Sequence, residues 1–219
     1  MKFQCKNCGL CCSDITAPVN LTLGDIHRIT SFLKTNFSVL FWKSIQIMPF
    51  ANPDNPFLYD LELGLNMPCK FRINKKCSIY KARPLNCRLF PYWILANPQK
   101  EGYKAYIDRS HKCIMDYEED ISTKERYRKY KGVIGKIILA ESSITDEFLS
   151  INELKITVKL PDNSIKPSNL RQMEIEKTKL CRRLIDKTEY RKLPLMIEKE
   201  LSNHDFANIL KLEEFEKIL

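Results

Sequence analysis

The spacing of apolar residues changes from helical to strand-like within the first third of the chain. Apolar residues recur every three or four positions from Ile26 onward, which predicts a helix with one buried face that runs to about Lys34. Thr22, with Asp25 three residues later, is a typical capping signal for the start of this helix. A second short apolar helix is expected over residues 37–41.

The next segment has a strand-like pattern. Residues 45–47 alternate between apolar and polar, residues 57–63 have the composition of a strand, and the Pro and Asn residues of 52–56 predict a turn between them. Beyond residue 113 the chain is charged and mostly helical in pattern, with one strand-like stretch at 154–160. We therefore predict an α+β fold, in which a small loop-rich scaffold with a few short strands precedes a mainly helical C-terminal part.

The composition is that of an ordinary soluble globular protein. The chain has 219 residues, of which 44% are hydrophobic and 29% charged, and a chain of this length is expected to bury roughly 70% of its unfolded surface. Met1 to Cys5 carries no apolar run of the signal-peptide type, and the longest apolar runs fall far short of a membrane span. The expected location is the cytoplasm, without membrane contact.

A dense group of cysteines stands at the start of the chain. Cys5, Cys8, Cys11 and Cys12 form the pattern Cys-x2-Cys-x2-Cys-Cys, with no apolar segment beneath them. In a reducing compartment this density is more typical of metal ligands than of a disulfide framework. The side chains of the neighbours Cys11 and Cys12 diverge in any extended or turning backbone, so the four thiols are not expected to close one site together.

Further thiols in the first half complete the set of candidate ligands. Cys69, Cys77, Cys87 and Cys113 bring the total there to eight, which is enough for two four-thiolate sites. Their spacing fits no single helix or strand, so the chain must fold back to bring the sulfur atoms together. We predict that all eight cysteines ligate metal. Residues 1–113 are then a cysteine-cluster metal-binding domain, and residues 114–219 are a mainly helical region packed on it.

Cys181, His27 and His111 also have side chains that can bind metal, but we do not include them in the predicted set of ligands. Cys181 stands far from the other thiols in a helical context and is expected to be a packed thiol. His27 falls between apolar helix positions and is expected to be a surface or satisfied helix residue. His111, two residues before Cys113, is an alternative ligand that we rank below the complete sulfur set. The sequence shows no convincing nucleophile and base constellation, so no catalytic residue is assigned.

The spacing of the cysteines leaves the identity of the metal open. Cys5-x2-Cys8-x2-Cys11 matches the start of bacterial ferredoxin spacing, in which three close thiolates and a remote fourth hold a cubane cluster. Cys-x2-Cys pairs are also the usual knuckles of tetrahedral zinc sites. We favour [4Fe-4S] clusters, because the interlocked triplet is rarer in zinc modules than separated pairs are. Zn²⁺ is the alternative.

The excess positive charge accompanies the cysteines. The net charge is +9, and residues 1–113 hold 16 Lys and Arg against 7 Asp and Glu, whereas residues 114–219 hold 20 of each. One interpretation is a basic surface for nucleic acid or another polyanion. We favour a second interpretation, in which the Lys and Arg residues offset the negative charge of the metal sites. Two four-thiolate sites would each carry a charge of about 2−, and no regular basic stripe is visible in the sequence.

The cysteine-bearing segments resemble a known family, the YkgJ-type cysteine-cluster proteins, which are described as a zinc- or iron-chelating domain. The similar segments are Cys5-x2-Cys8-Gly9-x-Cys11-Cys12, Pro68-Cys69-x-Phe71 and Cys77-x-Ile79-Tyr80-x2-Arg83-Pro84-x2-Cys87-Arg88-x-Phe90-Pro91. The resemblance covers roughly residues 1–113 and implies that the cysteines ligate metal. Members are often called iron–sulfur oxidoreductases. The cluster motif also resembles that of flagellin lysine N-methylases.

Three functional hypotheses follow. The first is an iron–sulfur protein that serves as a redox or cluster-dependent enzyme of unknown substrate, with an electron-transfer or other protein as its partner. The second is a zinc-binding structural or interaction module. The third, implied by the methylase resemblance alone, is a protein lysine methyltransferase, and the scattered glycines, which form no nucleotide-binding loop, count against it.

Overall fold

Short strands and helices of very unequal length make up the fold. The computed structural model describes residues 19–51, 58–89, 121–152, 157–159, 179, 189–204 and 206. The α+β prediction is confirmed. The elements are β1 Val19–Asn20, α1 Leu23–Leu33, α2 Phe37–Leu40, β2 Ile45–Ala51, β3 Leu58–Leu65, β4 Arg72–Ile73, β5 Lys76–Cys77, a 3₁₀ turn at Tyr80–Ala82, α3 Leu85–Leu89, α4 Ile121–Ile151, β6 Thr157–Lys159, a 3₁₀ turn at Glu189–Lys192 and α5 Leu193–Asn203.

Helix α1 begins and ends where the sequence predicts. The Thr22 hydroxyl accepts the N–H of Asp25 at 3.0 Å, and the Asp25 carboxylate accepts the N–H of Thr22 at 3.2 Å, which closes a reciprocal capping box. The helix ends at Leu33 and is followed by Lys34 in the left-handed conformation, with a φ of 50°. The short apolar helix predicted next is observed as α2.

Strand β3 is the centre of an antiparallel sheet. It pairs along its length with β2, and its other edge is shared by β1 and β6. Alternate residues of β3 face the core, because successive side chains of a strand point to opposite faces. The buried set is Leu61, Leu63 and Leu65. The strand-like stretches of the sequence therefore meet in one sheet.

One hydrophobic core takes side chains from both halves of the chain. Helices α1 and α2 and the sheet contribute from the first half, and α4 and α5 contribute from the second. Members from the second half are Phe148, Leu149, Leu193, Ile197 and Phe206. The His27 ring packs on the ring of Phe206 with a centroid distance of 5.7 Å. The domain boundary at residue 113 stays a prediction.

Helix α4 has 31 residues and includes the stretch 123–139, for which the sequence predicts a helix. Neither this helix nor any other in the described ranges is long and apolar enough to cross a membrane. The helix predicted from residue 195 to the end is observed as α5 up to Asn203. The predicted helix is interrupted at His204, whose backbone is extended. Residues 205 and 207–219, and most of the helix predicted over 169–189, lie outside the described residues.

Candidate metal centre

Cys69 precedes a two-stranded hairpin, and Cys77 is the last residue of its second strand. Strands β4 and β5 are joined by the two-residue loop Asn74-Lys75, whose φ angles of 49° and 63° are typical of a type I′ turn. The N–H of Arg72 donates to the carbonyl of Cys69 at 3.2 Å. Cys69 and Cys77 both pack against the hydrophobic core. The hairpin therefore fixes the backbone that carries two of the predicted ligands.

Cys87 lies on the five-residue helix α3. Its neighbour Arg88 is buried and donates from Nε to the carbonyl of Arg83 at 2.8 Å, and from Nη2 to the carbonyl of Lys81. These carbonyl groups belong to the turn that leads into α3. The Arg88 guanidinium thus ties the Cys87 helix to the turn before it.

A buried ion-pair network lies at the N-terminus of α3. Asp25 Oδ1 accepts the backbone N–H of Leu85 at 2.9 Å and Nη2 of Arg28 at 2.5 Å. Arg28 also donates to both carboxylate oxygens of Glu141, at 2.6 Å and 3.0 Å. One arginine therefore joins α1 to α4, and Asp25 extends the connection to the helix that carries Cys87.

Arg28 stays protonated in this buried setting. Burial lowers the pKa of Arg28, but the hydrogen bond to Glu141 and the negative charges of Asp25 and Glu141 outweigh burial, so the pKa is raised overall. The Thr22 hydroxyl donates a further bond to the fully buried Glu141 carboxylate. Gly24 makes room for this carboxylate, because a Cβ at that position would lie 2.3 Å from its carboxyl carbon.

Two arginine side chains of the cysteine-bearing segment have buried donors that suit a negatively charged group. Arg72 pairs directly with Cys77 across the hairpin, so their side chains project from the same face. The Nε atoms of Arg72 and Arg83 are buried and have no hydrogen-bond acceptor within the described part of the chain. Buried donors are nearly always satisfied, and metal-bound thiolates are negatively charged acceptors. The Arg72 donor, which shares a face with Cys77, is therefore compatible with a metal–thiolate centre.

The structure describes three of the predicted ligands, Cys69, Cys77 and Cys87, and all three are half-buried. The other candidates lie outside the described residues: Cys5, Cys8, Cys11, Cys12, Cys113, Cys181 and His111. Among residues that are described, no group of three or more Cys, His, Asp or Glu is arranged to hold a metal ion. No disulfide joins any two of the three described thiols. Ligation by all eight cysteines stays a prediction.

The pairing of Arg28 with Glu141 could not be predicted from the sequence. The two residues are 113 positions apart, and neither belongs to a motif that marks it as buried. One local signal was available, since Arg28 falls between Ile26 and Ile29 on an apolar stretch of helix. A charged residue at such a position is expected to have a buried partner of opposite charge, but the sequence pattern does not show which residue that partner is.

The cysteines on the hairpin and on α3 suggest a comparison with cysteine-rich metal-binding proteins. A family model named CxxCxxCC and described as "Putative zinc- or iron-chelating domain" matches residues 4–124. The chain belongs to this family. The resemblance seen in the cysteine motifs is thereby confirmed, and membership supports metal binding by this chain.

The individual proteins similar to this chain include a relative from an archaeon. An uncharacterized protein of Methanocaldococcus jannaschii is 29% identical over 146 residues, which cover 66% of this chain and 75% of the relative. This alignment is longer than the family match, so the similarity extends beyond residues 4–124. No solved structure matches the chain.

Proposed function

We propose that the protein holds an iron–sulfur centre, most simply [4Fe-4S], through its cysteine thiolates, and that it serves as a redox protein or a cluster-dependent enzyme. The family match over residues 4–124 carries the proposal, because this range contains all eight first-half cysteines. The interlocked spacing of Cys5, Cys8 and Cys11 favours iron over zinc. The buried Nε atoms of Arg72 and Arg83 add support, because they suit the negative charge of a thiolate-bound cluster.

The described residues have defined roles in this proposal. Cys69, Cys77 and Cys87 supply ligands from the hairpin and from α3. The remaining ligands are Cys5, Cys8, Cys11, Cys12 and Cys113. When bound, a four-iron cluster accepts and donates single electrons. The expected partner is therefore an electron-transfer protein or another protein substrate, in the cytoplasm, where thiols stay reduced.

A zinc-binding structural module is the second candidate function. The described cysteines stand on or beside elements of two to five residues, namely β4, β5 and α3. Such short elements gain stability from a metal cross-link, and eight thiolates would fill two closed tetrahedral sites. A methyltransferase function is not proposed, since its sole support is the likeness of one motif.

Anaerobic purification distinguishes these candidates. Iron, acid-labile sulfide and zinc are measured together with the visible spectrum. A brown protein with iron and sulfide supports the cluster, and a colourless protein with stoichiometric zinc supports the structural module. Absence of all three from protein prepared without chelator would contradict both. We expect Cys12→Ser and Cys87→Ser to lose metal, whereas Cys181→Ser, the control for thiol removal, keeps it.

A further inference from the structure

The basic residues around the described cysteines fall into two groups by exposure. The segment Leu63–Leu89 contains seven Lys or Arg and no Asp or Glu. Arg72, Arg83 and Arg88 are buried or half-buried, whereas Lys70, Lys75, Lys76 and Lys81 are exposed. The inner arginines can offset the charge of a thiolate centre. Exposed charges are screened by water and salt, so compensation does not explain the lysines.

The hairpin has one face toward the protein and one toward solvent. Arg72 and Cys77 pair directly and share the inner face. The next pair, Ile73 and Lys76, projects from the opposite face, because successive residues of a strand alternate. Ile73 is 58% exposed and Lys76 is also exposed. The outer face therefore presents its cation to solvent.

The tip of the hairpin carries a lysine at a position that favours glycine. Both residues of a type I′ loop need positive φ, which Asn tolerates at the first position and which normally selects Gly at the second. Here the second residue is Lys75, with a φ of 63°. A side chain in this conformation costs of order 1 kcal/mol relative to glycine. The backbone conformation therefore does not explain why this residue is lysine. The charge of Lys75 lies at the tip of the hairpin.

An aromatic residue follows this hairpin in the chain. Tyr80 opens the 3₁₀ turn that follows β5 and is 45% exposed. The guanidinium carbon of Arg83 lies 4.2 Å from the centroid of the Tyr80 ring. This contact holds the ring in place by a cation–π interaction. The neighbouring Lys81 is exposed.

We propose that Lys75, Lys76, Tyr80 and Lys81, the basic hairpin surface, bind single-stranded nucleic acid. The lysines contact phosphate groups, and a base stacks on the face of the Tyr80 ring that Arg83 does not cover. A phosphate backbone combined with a planar base matches exposed lysines that precede and follow an exposed ring in the chain. An acidic polypeptide would use the lysines but leave the ring without a stacking partner, and one exposed isoleucine is too little apolar surface for membrane insertion.

Fluorescence anisotropy of labelled oligo-dT and oligo-U with the full-length, metal-loaded protein tests the proposal. We expect binding that weakens with salt. Lys75→Gly should lower the affinity and reduce the salt slope by about 0.7. Tyr80→Ala should weaken binding by about tenfold, and Tyr80→Phe should retain it. Comparison of the two oligonucleotides shows whether DNA or RNA is preferred.

Lys34→Gly is the matched control, because Lys34 is also an exposed lysine at positive φ, 50°, but lies at the end of α1. Both glycine variants should melt at or above the wild-type temperature, which excludes unfolding as the cause of weaker binding. Equal loss of affinity in both variants would overturn the proposal. So would the absence of binding at low salt, competition by polyglutamate as strong as by unlabelled oligonucleotide, or preferential binding to anionic lipid vesicles.

Discussion

The carboxylate of Asp25 accepts a hydrogen bond from the backbone N–H of Leu85 at 2.9 Å, two positions before Cys87. The same oxygen binds Arg28, whose other partner, Glu141, lies on α4 in the second half of the chain. The first turn of the helix that carries Cys87 is therefore connected, through Asp25 and Arg28, to both halves of the chain. We expect this arrangement to couple the stability of the core to the geometry of the candidate centre.

Asp25→Asn should destabilise the fold and weaken metal retention. The substitution removes the charge that faces Arg28 and weakens the bond to the first turn of α3. Loss of one partner of a buried ion pair costs about 3 kcal/mol. Urea unfolding measures the stability, and competition with a chelator measures metal retention. Glu198→Gln is the control, since Glu198 accepts two exposed bonds from Ser38, at 2.8 Å and 2.7 Å. Equal stability and equal metal retention in the two variants would contradict the coupling between the core and the candidate centre.

Gly24→Ala and Gly132→Ala should change stability in opposite directions. A Cβ at Gly24 would meet the carboxylate of Glu141 at 2.3 to 2.4 Å, so the buried network must be displaced. A Cβ at Gly132 would meet nothing within 4 Å, on an exposed part of α4. We expect a loss of about 3 kcal/mol for the first and a gain of up to about 1 kcal/mol for the second. Thermal and urea unfolding of the two variants show whether each substitution lowers or raises the free energy of unfolding.

Arg72→Met should affect the metal-free and the metal-loaded protein differently. In the metal-free form the substitution removes a buried Nε without an acceptor among the described residues, so stability should stay equal or rise. In the loaded form it removes a donor beside the Cys77 thiolate, so stability and metal retention should fall. Lys70→Met, at an exposed position, is the control. An equal change in stability in the metal-free and the metal-loaded protein would show that Arg72 does not interact with the metal centre.

Arg28→Lys should shift the alkaline limit of stability to lower pH. The pKa of Arg28 is raised in the folded state, so the stability from its ion pairs is complete below the unfolded pKa and is lost only as pH rises through the folded value. Lysine has an ordinary pKa of about 10.4 and loses its charge earlier. Urea midpoints measured from neutral to strongly alkaline pH should diverge above the lysine pKa. If the urea midpoints of the wild type and the variant depended on pH in the same way, the charge of Arg28 would not be what stabilises the fold.

Local signals account for the parts of the fold that the sequence predicts. The capping pair Thr22 and Asp25 locates α1, alternation locates β2, and strand composition locates β3, because these signals depend on neighbouring residues. The contact of Arg28 with Glu141 depends on how distant elements pack, and no local pattern encodes it. The cysteine motifs predict the family and the chemistry. They do not separate iron from zinc, since both metals accept thiolate ligands at similar spacings.

Metal-edge X-ray absorption spectroscopy on anaerobically purified protein tests the central claim most directly. If the cysteine thiolates hold the centre, the bound metal has a first coordination shell of sulfur alone, and a serine substitution at Cys87 introduces a lighter scatterer or abolishes binding. A first shell dominated by nitrogen or oxygen would contradict the claim. So would a wild-type protein that contains no metal although its thiols remain reduced.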